Sequence, residues 1–68
     1  MDSPLEQRLK GDWKQFRGRI REAWGSLTDD DLDKSGGRLE QLVGKIEART
    51  GQKRADIRRK LDELAARP

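Results

Sequence analysis

Apolar residues recur along the first 25 positions of the chain at the spacing of a helix. At about 100° per residue they share an arc of roughly 100°, the width of a helix face that packs on a core. These positions are Leu5, Leu9, Trp13, Phe16, Ile20 and Trp24. Ser3, Pro4 and Glu6 have the pattern of an N-terminal capping box. The pattern predicts one helix from Pro4 to Gly25, with room for a bend near Gly11 and with Gly25 as its left-handed C-terminal residue.

A second helix is predicted in the segment SLTDDDL. Thr28 is a suitable N-cap with Asp31 three positions later, and Leu27 and Leu32 occupy the positions of a hydrophobic staple. The flexible segment KSGG follows at once, so this helix is expected to be short.

Two further helices complete the prediction, the third ending at Gly51 and the fourth beginning at about Lys53. Their apolar faces are Leu39, Leu42, Val43 and Ile46 in the third, and Ile57, Leu61, Leu64 and Ala65 in the fourth. The predicted fold class is all-α, a small bundle of two packed α-hairpins with four helices, one of them short. Twelve residues are expected to form the core: Trp13, Phe16, Ile20, Trp24, Leu27, Leu32, Leu39, Leu42, Ile46, Ile57, Leu61 and Leu64.

The length of 68 residues allows one small domain. We therefore expect a single domain over residues 1–68, with frayed ends at 1–3 and 66–68. With no cysteine and no histidine, neither a disulfide nor a typical structural zinc site can support it. Stability must come from helix packing, and four helices without fixed packing remain the alternative.

Glycines divide the chain into two similar segments, which begin at Gly11 and Gly37. The second segment repeats the first at an offset of 26 positions. Gly11, Gln15, Gly18, Ile20 and Gly25 recur as Gly37, Gln41, Gly44, Ile46 and Gly51. The sequence thus indicates an internal repeat.

The segments DWKQFRGRIREAWGSLTDDDL and GRLEQLVGKIEARTG give the chain a resemblance to the CsbD-like family of small bacterial proteins. The resemblance covers roughly residues 10–64, and it departs from the family pattern at Thr50, where members commonly carry an aromatic residue, and in the KSGG linker. It implies two packed α-hairpins and an association with general stress responses. It implies no reaction.

Few residues could carry catalysis, because histidine and cysteine are absent. We considered Mg²⁺ or Ca²⁺ at Asp29, Asp30, Asp31 and Asp33, but the spacing lacks the interleaved ligands of a calcium loop, and helix capping is the preferred interpretation. Gly36 and Gly37 could cradle an anion but lack the phosphate-loop pattern. The prediction is a protein that is not an enzyme and binds no metal or cofactor.

Nucleic-acid binding is the alternative function. Residues 52–68 contain six basic and three acidic residues, and the candidate phosphate contacts are Lys53, Arg54, Arg58 and Arg59, with Lys60 and Arg67 nearby. Acidic residues interrupt the series, so weak, sequence-nonspecific binding is possible but not favoured. Base stacking by the aromatic residues is less expected than their packing in the core.

Gly18 and Gly44 remain unexplained by core packing, since each is predicted on the outer face of its helix. A glycine there costs about 1 kcal/mol relative to alanine, which is either tolerated or offset by close approach of another chain. The two glycines are therefore candidate interaction residues, for an unknown protein partner or for self-association.

The chain has no apolar run long enough for a membrane-spanning helix or a signal peptide. We expect a cytoplasmic, non-catalytic stress-response protein that acts by binding.

Overall fold

Residues 4–66, the part of the chain that this computed structural model describes, form five α-helices. They are α1 (Pro4–Gly11), α2 (Trp13–Ala23), α3 (Asp29–Ser35), α4 (Leu39–Thr50) and α5 (Arg54–Ala66). The all-α prediction is confirmed. The predicted capping residue Ser3, the first frayed end and Arg67 lie outside the described residues.

The predicted count of four helices is wrong, because the first helix is divided at Asp12. Asp12 has φ −141° and ψ 42°, which is not helical, and its carbonyl accepts the first hydrogen bonds of α2 from Gln15 and Phe16. Gly11, a poor helix former, immediately precedes it. The Gly11–Asp12 pair thus ends one helix and starts another where the apolar pattern continues unbroken.

The end of α2 also differs from the prediction. Within residues 4–66 the positive-φ glycines are Gly36 and Gly51, so Gly25 is not left-handed. Trp24 ends α2 instead, with φ −128°, and its N–H still bonds Ile20. Leu27 N donates to the Trp24 carbonyl at 3.1 Å. This turn lets Trp24 and Leu27 both reach the core.

The core is a single cluster to which every helix contributes. Eleven of the twelve predicted core residues are buried, and Trp13 is half-buried at the edge, where it is the first residue of α2. Leu5, Leu9 and Val43 are buried as well. Helix α5 packs against α1, α2 and α4, whereas α3 packs against α4.

Side chains from α1 and α2 complete the ends of other helices. Glu6 accepts a hydrogen bond from Leu39 N at 2.8 Å, at the start of α4. Arg8 and Arg19 donate to the carbonyls of Ala65 and Leu64 at 3.0 and 3.1 Å, at the end of α5. Backbone groups that have no partner within their own helix are thus satisfied by distant residues.

Gly37 has no room for a side chain. A Cβ atom there would lie 2.9 Å from Lys10 Cα, which belongs to the backbone of α1. We expect Gly37→Ala to lower the free energy of unfolding by about 1–3 kcal/mol, the usual effect of overpacking, as measured by urea denaturation. Gly11, its counterpart in the repeat, meets nothing within 4 Å and provides the matched control. Equal stability of the two variants would contradict the close packing at Gly37.

Candidate interaction site

The start of α3 is closed by two reciprocal hydrogen bonds. Asp31 N donates to Thr28 Oγ1 at 3.1 Å, and Thr28 N donates to Asp31 Oδ2 at 3.2 Å. The structure therefore contains the capping box that the sequence predicts. It places a carboxylate in the first turn, where the helix dipole favours negative charge.

Asp31 also binds Arg49 of α4 through both of its carboxylate oxygens. Arg49 Nε lies 2.9 Å from Oδ2 and Nη2 lies 3.1 Å from Oδ1. The Asp31 side chain is 4% exposed and that of Arg49 is 50% exposed. The hydrogen bonds from Arg49, and then the one from the Thr28 backbone, lower the pKa of Asp31 from 3.8 to about 2. The same contact raises the pKa of Arg49, so both groups stay charged except in strong acid.

The other three acidic residues of the segment form ion pairs at the surface. Arg17 of α2 binds both Asp33 and Asp29, and Arg21 Nη1 donates to Asp29 Oδ1 at 2.7 Å. Asp30 pairs with Lys34 one turn later, at 3.3 Å. The four carboxylates considered as metal ligands are thus each engaged by a cation, and residues 4–66 contain no group of three or more side chains arranged to hold a metal ion.

The candidate phosphate contacts at the start of α5 are not equally available. Arg54 is bound by Glu40 at 2.8 Å and by Glu47 at 3.1 Å, both on α4. Lys53, Arg58 and Arg59 are exposed. Consecutive residues of a helix are separated by about 100°, so Arg58 and Arg59 point in different directions. The structure does not gather the four cations into one surface.

Gly18 and Gly44 lie in the middle of α2 and α4, whose first residues are 26 positions apart. A Cβ atom at either glycine would meet nothing within 4 Å. Gly18 is exposed and Gly44 is half-buried. The sequence predicts both glycines on the outer face of their helices. In the structure the space above each backbone is open, and no other part of the described chain fills it.

A shallow groove of about 200 Å³ lies between α2 and α5. Its lining residues are Arg19, Glu22, Ala23, Lys60 and Leu64. The guanidinium of Arg19 already donates to the Leu64 carbonyl and lies 5.8 Å from the centroid of the Phe16 ring. This part of the groove therefore supports the packing of α2 on α5.

The sequence reasoning missed the three arginines that hold α3. Arg49 is 18 positions from Asp31, and Arg17 is 16 positions from Asp33. Arginines are frequent throughout this chain, so no local pattern distinguishes these from the others. The four acidic residues at positions 29, 30, 31 and 33 are the available signal for such cationic partners.

The chain belongs to the CsbD-like family, whose sequence model matches residues 7–59. It is 44% identical to the UPF0337 protein YjbJ of Escherichia coli O6:H1 over 57 residues, which cover 84% of this chain and 83% of the relative. It is 48% identical to the UPF0337 protein RPA4217 of Rhodopseudomonas palustris over 56 residues, or 82% of this chain and 85% of that one. No solved structure matches the chain. In the described part of the chain, no helix combines the length and the apolar character that crossing a membrane requires.

Proposed function

We propose that this chain is a non-catalytic, cytoplasmic stress-response protein of bacteria that acts by binding a protein partner or a second copy of itself. The association with stress comes from its family. The observation that carries the binding role is the open space above the backbones of α2 and α4 at Gly18 and Gly44. Close approach of another helix at such a site needs a residue without a side chain.

The distribution of the other family-pattern residues supports this proposal. Phe16, Ile20 and Trp24 are buried in the core, and Thr28 and Asp31 form the capping box. These residues have a structural role that explains their presence. Gly18 has no such role within the chain, although glycine in the middle of a helix costs about 1 kcal/mol relative to alanine.

Alanine substitutions separate a binding role from a tolerated cost. Because nothing lies within 4 Å of the new methyl group, we expect Gly18→Ala and Gly44→Ala each to raise the free energy of unfolding of the monomer by about 0.4–1 kcal/mol. If the glycines admit another helix, the same variants will weaken association in sedimentation or partner capture. Gln7→Ala, on the exposed side of α1, is the control that leaves association unchanged. Stabilisation with unaltered association would contradict the proposal.

Recovery of bound macromolecules from stressed cells tests the kind of partner. The native protein and the two glycine variants are compared with and without nuclease treatment. The proposal expects a protein that is recovered regardless of nuclease and lost with the glycine variants. Recovery that nuclease abolishes would instead support binding of nucleic acid.

A further inference from the structure

Helix α2 carries five charged side chains, and two of them have no partner among residues 4–66. Its three arginines bind groups on α3 or α5: Arg17, Arg19 and Arg21. The side chains of Lys14 and Glu22 are exposed, and neither forms a hydrogen bond or an ion pair within the part of the chain that the structure describes. Glu22 lines the same groove as Lys60, yet no ion pair joins these two residues. Two opposite charges on α2 are thus available to another molecule.

Lys14 and Glu22 lie symmetrically about Gly18, four positions before it and four after it. Residues four positions apart are neighbours on one side of a helix, so the three residues form one row along the exposed face of α2. A Cβ atom at Gly18 would meet nothing within 4 Å. The middle of the row is therefore bare backbone, with a cation on one side and a carboxylate on the other.

The two charges have the unfavourable sign for the ends of α2 at which they lie. Lys14 is the second residue of the helix and Glu22 is the last but one, and the first turn contains no acidic residue. The N-terminal end of a helix is the positive end of its dipole, and the C-terminal end is the negative one. An antiparallel helix placed over α2 would bring its own negative end to Lys14 and its positive end to Glu22.

We propose that the α2 face formed by Lys14, Gly18 and Glu22 binds the same face of a second copy of this chain. A twofold axis perpendicular to α2 at Gly18 makes the two α2 helices antiparallel. Lys14 of each copy then meets Glu22 of the other, since residue i contacts residue j and the reverse in such an interface. A parallel arrangement would bring like charges together. This inference rests on the proposed binding role of Gly18 and names the molecule that occupies its face.

The corresponding face of α4 lacks this self-complementarity. Four positions from Gly44 lie Glu40 on one side and Ala48 on the other. Glu40 is bound by Arg54 at 2.8 Å, and Ala48 carries no charge. A twofold contact at Gly44 would therefore form no ion pair. We assign the self-association to α2, and the binding role of Gly44 is separate from this contact.

The dimer is expected to be weak. Stable interfaces bury about 1,200–2,000 Å² in total, and one crossing of two helices of 11 residues buries less. Sedimentation equilibrium of the native protein at concentrations up to about 1 mM, where millimolar dissociation constants are measurable, should show a reversible monomer–dimer equilibrium. A native protein that stays monomeric over this range would overturn the inference.

Charge-reversal variants test the two intermolecular ion pairs. Lys14→Glu places two carboxylates at each pair and Glu22→Lys places two cations there, so each variant should dimerise at least about tenfold more weakly. The double variant Lys14→Glu, Glu22→Lys has opposite charges again and should recover most of the association. An equimolar mixture of the two single variants should form a heterodimer, because one chain then offers two carboxylates and the other two cations. Neither variant should lose helix content, since each new charge suits its own helix end.

Arg59→Glu and Glu63→Lys are the matched controls on α5. These two residues are also exposed, four positions apart and without a side-chain hydrogen bond or ion pair in the described chain, and the substitutions change the net charge equally. They should leave association unchanged. Equal weakening by the controls, or a mixture that does not associate, would overturn the α2 dimer. A different protein captured by the native chain and lost with Gly18→Ala would then still support the proposed function, whereas capture and association that are both insensitive to Gly18→Ala would overturn that function.

Discussion

Replacing Trp24 by alanine is expected to lower the free energy of unfolding by about 3–5 kcal/mol, the range found when a large buried aromatic side chain is truncated. Trp24 is 5% exposed and occupies the turn that ends α2. Its Nε1 donates to Gln52 Oε1 at 2.9 Å, so the same side chain also connects α2 to the segment between α4 and α5. A 68-residue domain has a small total stability, and this loss should leave the chain largely unfolded.

Urea denaturation followed by circular dichroism measures the effect. Trp24→Phe keeps most of the apolar volume but removes the hydrogen bond to Gln52. Its stability should therefore lie between that of the native protein and that of Trp24→Ala. Trp13→Ala is the matched control, because Trp13 is half-buried at the edge of the core and its loss should be smaller. A cooperative transition of Trp24→Ala close to that of the native protein would show that Trp24 does not anchor the core.

Much of this fold is predictable from local pattern because its helices are amphipathic and its caps are short in range. The face of α5 with Ile57, Leu61 and Leu64 follows from spacing alone, and the Thr28 capping box follows from residues three positions apart. The break at Asp12 could not be predicted in this way. The apolar period passes through it without a change of phase, so the pattern allows a bent helix and two helices equally well.

The electrostatic part of the candidate site depends on tertiary packing and was correspondingly harder to predict. Net charge by segment marks the start of α5 as a basic region, yet Arg54 is bound by Glu40 and Glu47 of α4. Those glutamates come near Arg54 because α4 and α5 pack together. A count of charges along the sequence does not account for ion pairs between helices. It therefore overestimates the cations available to an external phosphate.

The outward position of the two glycines was accessible to sequence reasoning, whereas their surroundings were not. Helical geometry places Gly18 opposite the core, and the structure shows the open space above it. The same geometry gives no indication that Gly37 touches Lys10, since that contact joins a loop to α1. A side chain at Gly18 would therefore meet open space, whereas a side chain at Gly37 would meet the backbone of α1.

Acid should destabilise the protein through Asp31 over a defined range of pH. The pKa of Asp31 is lowered from 3.8 to about 2 in the folded state, first by hydrogen bonds from Arg49 and then by the Thr28 backbone. A carboxylate whose folded pKa lies below its unfolded pKa stabilises the fold above the unfolded value, and this contribution is lost as pH falls through the folded value. The window of loss therefore extends from about pH 4 to about pH 2. Near pH 3, unfolding should take up about 0.8 proton at this site alone.

Urea denaturation of the native protein and of Asp31→Asn across that window isolates this contribution. The amide can still accept the hydrogen bond from Thr28 N but does not titrate, so the stability of the variant should be lower at pH 7 and should fall less steeply below pH 4. The remaining carboxylates titrate in both proteins, and the difference between the two curves belongs to Asp31. Arg49→Gln, which leaves Asp31 in place without its main partner, should flatten the same part of the curve. Parallel curves for all three proteins would mean that Arg49 does not hold Asp31 ionised, and the attachment of α3 to α4 would then rest on apolar packing alone.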